Sequence, residues 1–338
     1  RGESFLAPDQ DNGFLLADYP DDEHTRIDAW FVDLAERFTA ALDKAGFEFC
    51  KGGVMATNPL WRKTRAQWRD QIALWIRRRS PVALLYADIF FDFAAAWGDP
   101  APALELRRHV AELLARERGF LHAMLGEDRR LGVALGFFGG LKATGTGEHA
   151  GEIDLKINGT MPLVASARLW ALAKGVEATG TRERLAALAK LDVVAGAEAA
   201  ELGEAFEIVT FVLLRGQLTD VAAGKAPDNF VRPDEMDKRE REKLIDALKT
   251  IDRFAARTRA VFTGTLIWRS RRWRARPAPW SRPRPARRRC RSRAPRTRRA
   301  AARTPERWRA RRPAPNAACR SPRPTMKRAR PGCGPRDP

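Results

Sequence analysis

Pro8-Asp9-Gln10-Asp11-Asn12-Gly13-Phe14-Leu15-Leu16 is the stretch on which the reading of this chain turns. Two acids two residues apart lead into an apolar run, and alternate side chains of an extended backbone leave the same face. Like charges held side by side are costly unless a cation lies between them. A divalent ion shared by carboxylates and substrate phosphates is the usual answer, and two such ions can clamp both oxygens of a phosphoryl transfer. Asp9 and Asp11 are therefore candidate metal ligands, although the pattern alone is more often a solvated acidic loop. A third carboxylate would come from a neighbouring strand, and Ala87-Asp88-Ile89-Phe90-Phe91-Asp92-Phe93 offers Asp88 and Asp92.

Outward from this stretch, Ile27, Trp30, Phe31, Leu34, Phe38 and Leu42 recur at helical spacing over 26–46 and stop at Gly46. Arg65 to Arg79 shows a second amphipathic pattern, with Trp68, Ile72, Trp75 and Ile76 on one face. Ser80-Pro81 breaks it, and the apolar run Ala83 to Phe93 reads as a second strand. After Pro102 the texture changes: residues 103–125, 162–175, 181–191, 197–218 and 234–262 all read as helices. Between the first two lies a Gly-rich stretch, 139–159. The spacing thus predicts a small α/β unit over 1–100 and an all-α domain over 101–268, with a nucleotide cleft between them.

Residues 269–338 differ in kind. They hold 26 of the 62 Lys and Arg against two acids, Glu306 and Asp337, and contain no Leu, Ile, Val, Phe or Tyr. Such a segment buries too little apolar surface to offset its ordering entropy, so a disordered Arg/Pro-rich tail is expected. Its 25 Arg against one Lys suit an out-of-frame reading of a GC-rich gene better than a selected basic tail. Without it the formal net charge of +20 disappears: residues 1–268 carry 36 basic and 40 acidic side chains, a net of −4. The body makes no electrostatic case for nucleic acid, and no apolar run reaches the roughly 20 residues of a membrane helix. Cys50 is the one cysteine of residues 1–268, which fits a reducing, cytoplasmic setting. The absence of an initiator Met leads us to expect a chain truncated at its N-terminus.

Arg1-Gly2-Glu3-Ser4 followed by Pro8-Asp9-Gln10-Asp11-Asn12 and an apolar strand resembles the core motif of polymerase-β-like nucleotidyltransferases. In particular it resembles the family related to the bacterial PII-protein uridylyltransferase. The resemblance continues through Lys51-Gly52-Gly53-Val54-Met55-Ala56, Asn58-Pro59, Trp61-Arg62 and Phe90-Phe91-Asp92. It extends into Gly136-Phe137-Phe138-Gly139, Gly147-Glu148-His149, Ile153-Asp154-Leu155-Lys156 and Arg168, which look like the helical substrate-binding domain that follows the catalytic unit. It implies a transferase that moves a nucleoside monophosphate from a nucleoside triphosphate to a protein or small-molecule acceptor. Asp9, Asp11 and Asp92 would then be the catalytic, metal-ligating carboxylates, with Mg²⁺ (two ions with the triphosphate) as cofactor. Gly2, Glu3, Ser4 and Lys156 would face the nucleotide. It also implies upstream regulatory domains of the CBS or cyclic-nucleotide-binding type and a role in signal transduction. A catalytically inactive nucleotide-sensing or interaction module with the same fold is the alternative. Asp154 and Lys156 share a face if 153–157 is extended, and His149 has no ligand cluster around it that would make a metal site.

Overall fold

The computed structural model describes residues 2–6, 8–128 and 132–264. The predicted tail, 269–338, lies outside the described residues. The described part is mostly helical, with a few short strands.

The N-terminal unit is built on two short parallel strand pairs. Strand β1 (Asp9–Gln10) pairs with β3 (Glu48–Phe49), and β2 (Phe14–Leu16) pairs with β4 (Arg62–Thr64). The long helix α1 (His24–Lys44) makes the crossover that a parallel pair requires. The two acids and the apolar run that follows them fall on separate strands, with a break between β1 and β2. There Gly13 lies so close to the chain that a Cβ would sit 2.7 Å from the Trp61 carbonyl oxygen, leaving no room for a side chain. Helix α2 (Arg65–Arg78) begins at a capping box, in which the Thr64 hydroxyl accepts from Gln67 N–H and the Gln67 side chain accepts from Thr64 N–H.

The run from Ala83 that reads as a strand is instead helix α3 (Pro81–Phe90). A continuous apolar run cannot by itself separate a buried strand from a buried helix. Here the local signals decide: the Ser80 hydroxyl accepts from Ala83 N–H, and Pro81 occupies the first turn, where its missing N–H costs nothing. The helix buries Ala83, Leu84, Ala87 and Phe90 on one face. As a consequence Asp88 and Asp92 are related by a helical turn, not by strand alternation.

The single helix predicted over 103–125 is two: α4 (Ala101–Arg116) and α5 (Arg118–Asp128), broken at Glu117. Both pack with α2 and α3 in one apolar cluster that includes Trp61, Trp68, Trp75, Phe90, Phe91 and Phe120. A second cluster joins α6 (Met161–Lys174), α7 (Thr181–Lys190), α8 (Gly196–Ala222) and α9 (Lys238–Phe262). Helix α6 is their central member, buried at every position from Pro162 to Ala171. It also sends Leu169 into the first cluster. The short antiparallel pair β5 (Ile153–Asp154) and β6 (Phe230–Val231) closes this second part. Among the described residues no helix is long and apolar enough to cross a membrane.

Candidate functional site

Asp11 follows β1 and Cys50 follows β3, so both sit at the carboxyl end of a parallel pair, where ligands gather in open α/β sheets. Carboxylate oxygens of Asp9 and Asp11 and the Cys50 sulfur all lie within 4.8 Å of one another. The intervening residues hold this arrangement in place. Gln10 is buried and its amide donates to the carbonyls of Thr39 and Phe47, at 3.0 and 3.1 Å. Asn12 donates to Gln10 Oε1, accepts from Ala56 N–H at 2.9 Å, and sends its own N–H to Val54 O. The period of two in Asp-Gln-Asp-Asn thus divides labour: amides anchor the backbone inward while the acids face out. Gln10, Asn12 and Cys50 escaped the sequence reading, although the alternation was visible there.

Burial pushes the Asp11 carboxyl above its ordinary value; the Asp9 charge adds to this, and the Cys50 hydrogen bond and the Lys156 charge oppose it. The Cys50 thiol is also pushed up, chiefly by burial. The charge of Lys156 therefore reaches Asp11 from the helical part of the chain. The backbone leaves the extended state after Asp154, so Asp154 and Lys156 do not share a strand face as expected. Asp154 instead accepts from Ile157 N–H at 2.8 Å and starts a π-helical turn, Lys156–Thr160. That turn packs tightly: a Cβ on Gly159 would lie 2.7 Å from Val209 Cγ1.

Asp92 is engaged elsewhere. One of its oxygens receives Arg168, with Nη2 at 3.0 Å, and the other receives Arg184. Asp88 also pairs with Arg168. The two guanidiniums are almost fully enclosed, with side chains 5% and 2% exposed, so the network ties the end of α3 to α6 and α7. The structure groups Asp9 and Asp11 with Cys50 and places Asp92 in this joint. Glu3 serves the same interface: its carboxylate accepts from the Thr181 N–H, and from the Thr181 hydroxyl at 3.2 Å, capping α7. Gly2 and Ser4 beside it are exposed. His149 stacks on Phe230 with ring centroids 3.5 Å apart and bonds Glu152, which also pairs with Arg232. This latch fastens the Gly-rich stretch to β6.

The family model described as "Putative nucleotidyltransferase DUF294" matches residues 1–82. The model described as "Putative nucleotidyltransferase substrate binding domain" (DUF294_C) matches residues 118–262. No curated protein and no solved structure matched the chain. The two matches follow one another along the chain, the first contains the Asp9–Asp11 pair, and the second begins at α5 and includes α6 to α9. The chain belongs to this nucleotidyltransferase family.

Proposed function

We propose that the chain binds a nucleoside triphosphate with Mg²⁺ at Asp9 and Asp11 and transfers the nucleoside monophosphate to an acceptor, releasing pyrophosphate. The observation that carries this reading is the convergence of Asp9, Asp11 and Cys50, with the Lys156 charge felt at Asp11. The residues fit a cation: two carboxylates crowd one another closely enough for the Asp9 charge to raise the Asp11 carboxyl, a repulsion that a divalent ion relieves. Asp9 and Asp11 would hold the Mg²⁺, which would supply neutralisation of the charge developing on the phosphates. Lys156, whose charge lowers the Asp11 carboxyl, would suit the triphosphate's remaining negative charge. Gln10 and Asn12 keep the two acids fixed, so that little reorganisation is needed when substrate arrives. The resemblance to the PII-protein uridylyltransferase suggests a protein side chain as acceptor, UTP as donor and a signalling role.

The test is calorimetry of Mg²⁺–triphosphate binding to the wild type and to Asp9→Asn/Asp11→Asn, with circular dichroism as the check on folding. The variant is expected to lose metal-dependent binding and keep its helical spectrum; unchanged affinity overturns the assignment. A second reading, a nucleotide-sensing module without transfer, is favoured by one observation: both oxygens of Asp92 are engaged by Arg168 and Arg184. Triphosphate binding without pyrophosphate release, across a panel of nucleotides and candidate acceptors, would select it.

A further inference from the structure

A cavity of about 400 Å³ lies between α1, β4 and α2, and it shares no lining residue with the Asp9–Asp11–Cys50 group. That volume suits a small molecule. The Arg62 guanidinium on its wall is already satisfied: it forms a two-point ion pair with Asp28 (2.8 and 3.2 Å) and donates to the carbonyls of Ala56 and Thr57. Lys63, the next residue, has no carboxylate at ion-pair distance among the described residues, although it is half-buried in the same wall. Burial and the neighbouring Arg62 charge hold its ammonium below the ordinary lysine range. A partly desolvated cation without a counter-charge is costly, and an entering anion removes the cost. The rest of the lining is mixed: His24 and the Arg62-paired Asp28 of α1, Pro59, and a row on α2. Gln67, Asp70 and Gln71, on successive turns of α2, offer amide groups and a carboxylate, with Leu74 as an apolar end.

We propose that this cavity is a second ligand site, for a small metabolite with an anionic group, phosphate or carboxylate, at Lys63 and hydrogen-bond donors towards Asp70 and Gln71. The cavity is connected to the first centre through the backbone. Arg62 holds Ala56 O, Ala56 N–H is held by Asn12, and Asn12 follows Asp11. A ligand here is thus placed to act on the Asp9–Asp11 centre without touching it.

The experiment is competitive acetylation of the whole wild-type chain by acetic anhydride, read by mass spectrometry at Lys63 against the exposed Lys51. Inorganic phosphate and malonate serve as the anionic probes. One of them is expected to slow Lys63 acetylation about tenfold relative to Lys51, the scale of a charge-assisted hydrogen bond. Protection by phosphate alone assigns a phosphate-bearing ligand, and protection by malonate alone a carboxylate. The same protection is expected in Asp9→Asn/Asp11→Asn, because the cavity is separate from that centre. Equal reactivity of Lys63 with and without both probes overturns the proposal. Loss of protection in the double variant also overturns it, since the probe would then have been sitting at the first centre. Lys63→Met, read by calorimetry with the protecting probe, should abolish the binding heat and keep the wild-type circular dichroism. Undiminished heat counts against the site.

Discussion

Asp9 and Asp11 stand exposed at the end of a two-residue strand, with a thiol and a distant lysine as their company. Asp88 and Asp92 lie a helical turn apart at the end of α3, closed in by two guanidiniums that see almost no solvent. The residue type is the same and the outcome opposite. The first pair repels itself and can gain from a cation supplied from outside. The second pair is already neutralised from within by Arg168 and Arg184, so its charge is spent on joining α3 to α6 and α7. What separates an acid left open to a ligand from a structural one is thus the neighbour that the fold brings to it.

The sharpest way to break the comparison is to remove one acid from each pair. Asp92→Ala leaves two buried guanidiniums without their shared partner, and removing one member of a buried ion pair costs about 3–5 kcal/mol. Denaturant unfolding should show this as a large fall in the midpoint at unchanged slope. A loss below about 1 kcal/mol would mean that the joint tolerates water and that Asp92 is available for other duties.

Asp28 tests the same principle at a half-open position. Its side chain is 30% exposed, but its partner Arg62 is only 3% exposed. Asp28→Asn weakens the bond to a charged group and should cost about 2 kcal/mol, part of the loss being spared because Arg62 keeps its two carbonyls. The Arg62 hydrogen bond holds the Asp28 carboxyl below its ordinary value of 3.8. A depressed carboxylate stabilises the fold above that value, and the contribution is lost as pH falls through the lower folded-state value. Acid titration of stability should therefore be flatter below pH 3.8 in Asp28→Asn than in the wild type. Identical acid limbs would show that the pair contributes nothing.

Glu3 gives a smaller effect. Its carboxylate caps the N-terminus of α7 from a distant part of the chain, in the favourable direction for the helix dipole. Glu3→Ala should cost about 1 kcal/mol, and hydrogen exchange should quicken in the first turn of α7 before it does so in α8. Uniform quickening across α7, α8 and α9 would instead point to Glu3 as a support of the whole helical part.

Much of this was legible in the sequence, and the failures have physical causes. Helices α1, α2, α6 and α7 lie within two residues of their expected bounds at each end; α2 and α7 do so because each lays an apolar stripe on a core, and α6 because a glycine stops a run that is buried all round. Helix α3 was misread because its run from Val82 is apolar all round, and periodicity carries no information there. Ser80 and Pro81 did carry it, as a cap and a first-turn proline. The Asp9–Asp11 pair could be found from spacing alone, since its members are near in sequence. Cys50 could not, because it reaches the pair only through the parallel pairing of β1 with β3. The partners of Asp92 lie 76 and 92 residues away, and no local pattern announces them.

The smallest expected effect belongs to the first pair and completes the contrast. In the absence of metal, Asp9→Asn/Asp11→Asn should change stability at neutral pH by less than about 0.5 kcal/mol, as exposed substitutions do, and towards greater stability if anything. Partial burial of an otherwise exposed side chain, then the Asp9 charge, raises the Asp11 carboxyl above 3.8, and this fixes the sign. A carboxyl raised in the folded state favours folding below its unfolded value, and that advantage is lost as pH rises through the folded one. At neutral pH the wild type has already lost it, and asparagine has nothing to lose. Added Mg²⁺ with triphosphate should reverse the order: the wild type gains melting temperature by mass action, and the variant does not. A variant several kcal/mol less stable than the metal-free wild type would put Asp9 and Asp11 in the same class as Asp88 and Asp92, as structural acids whose partners remain to be found.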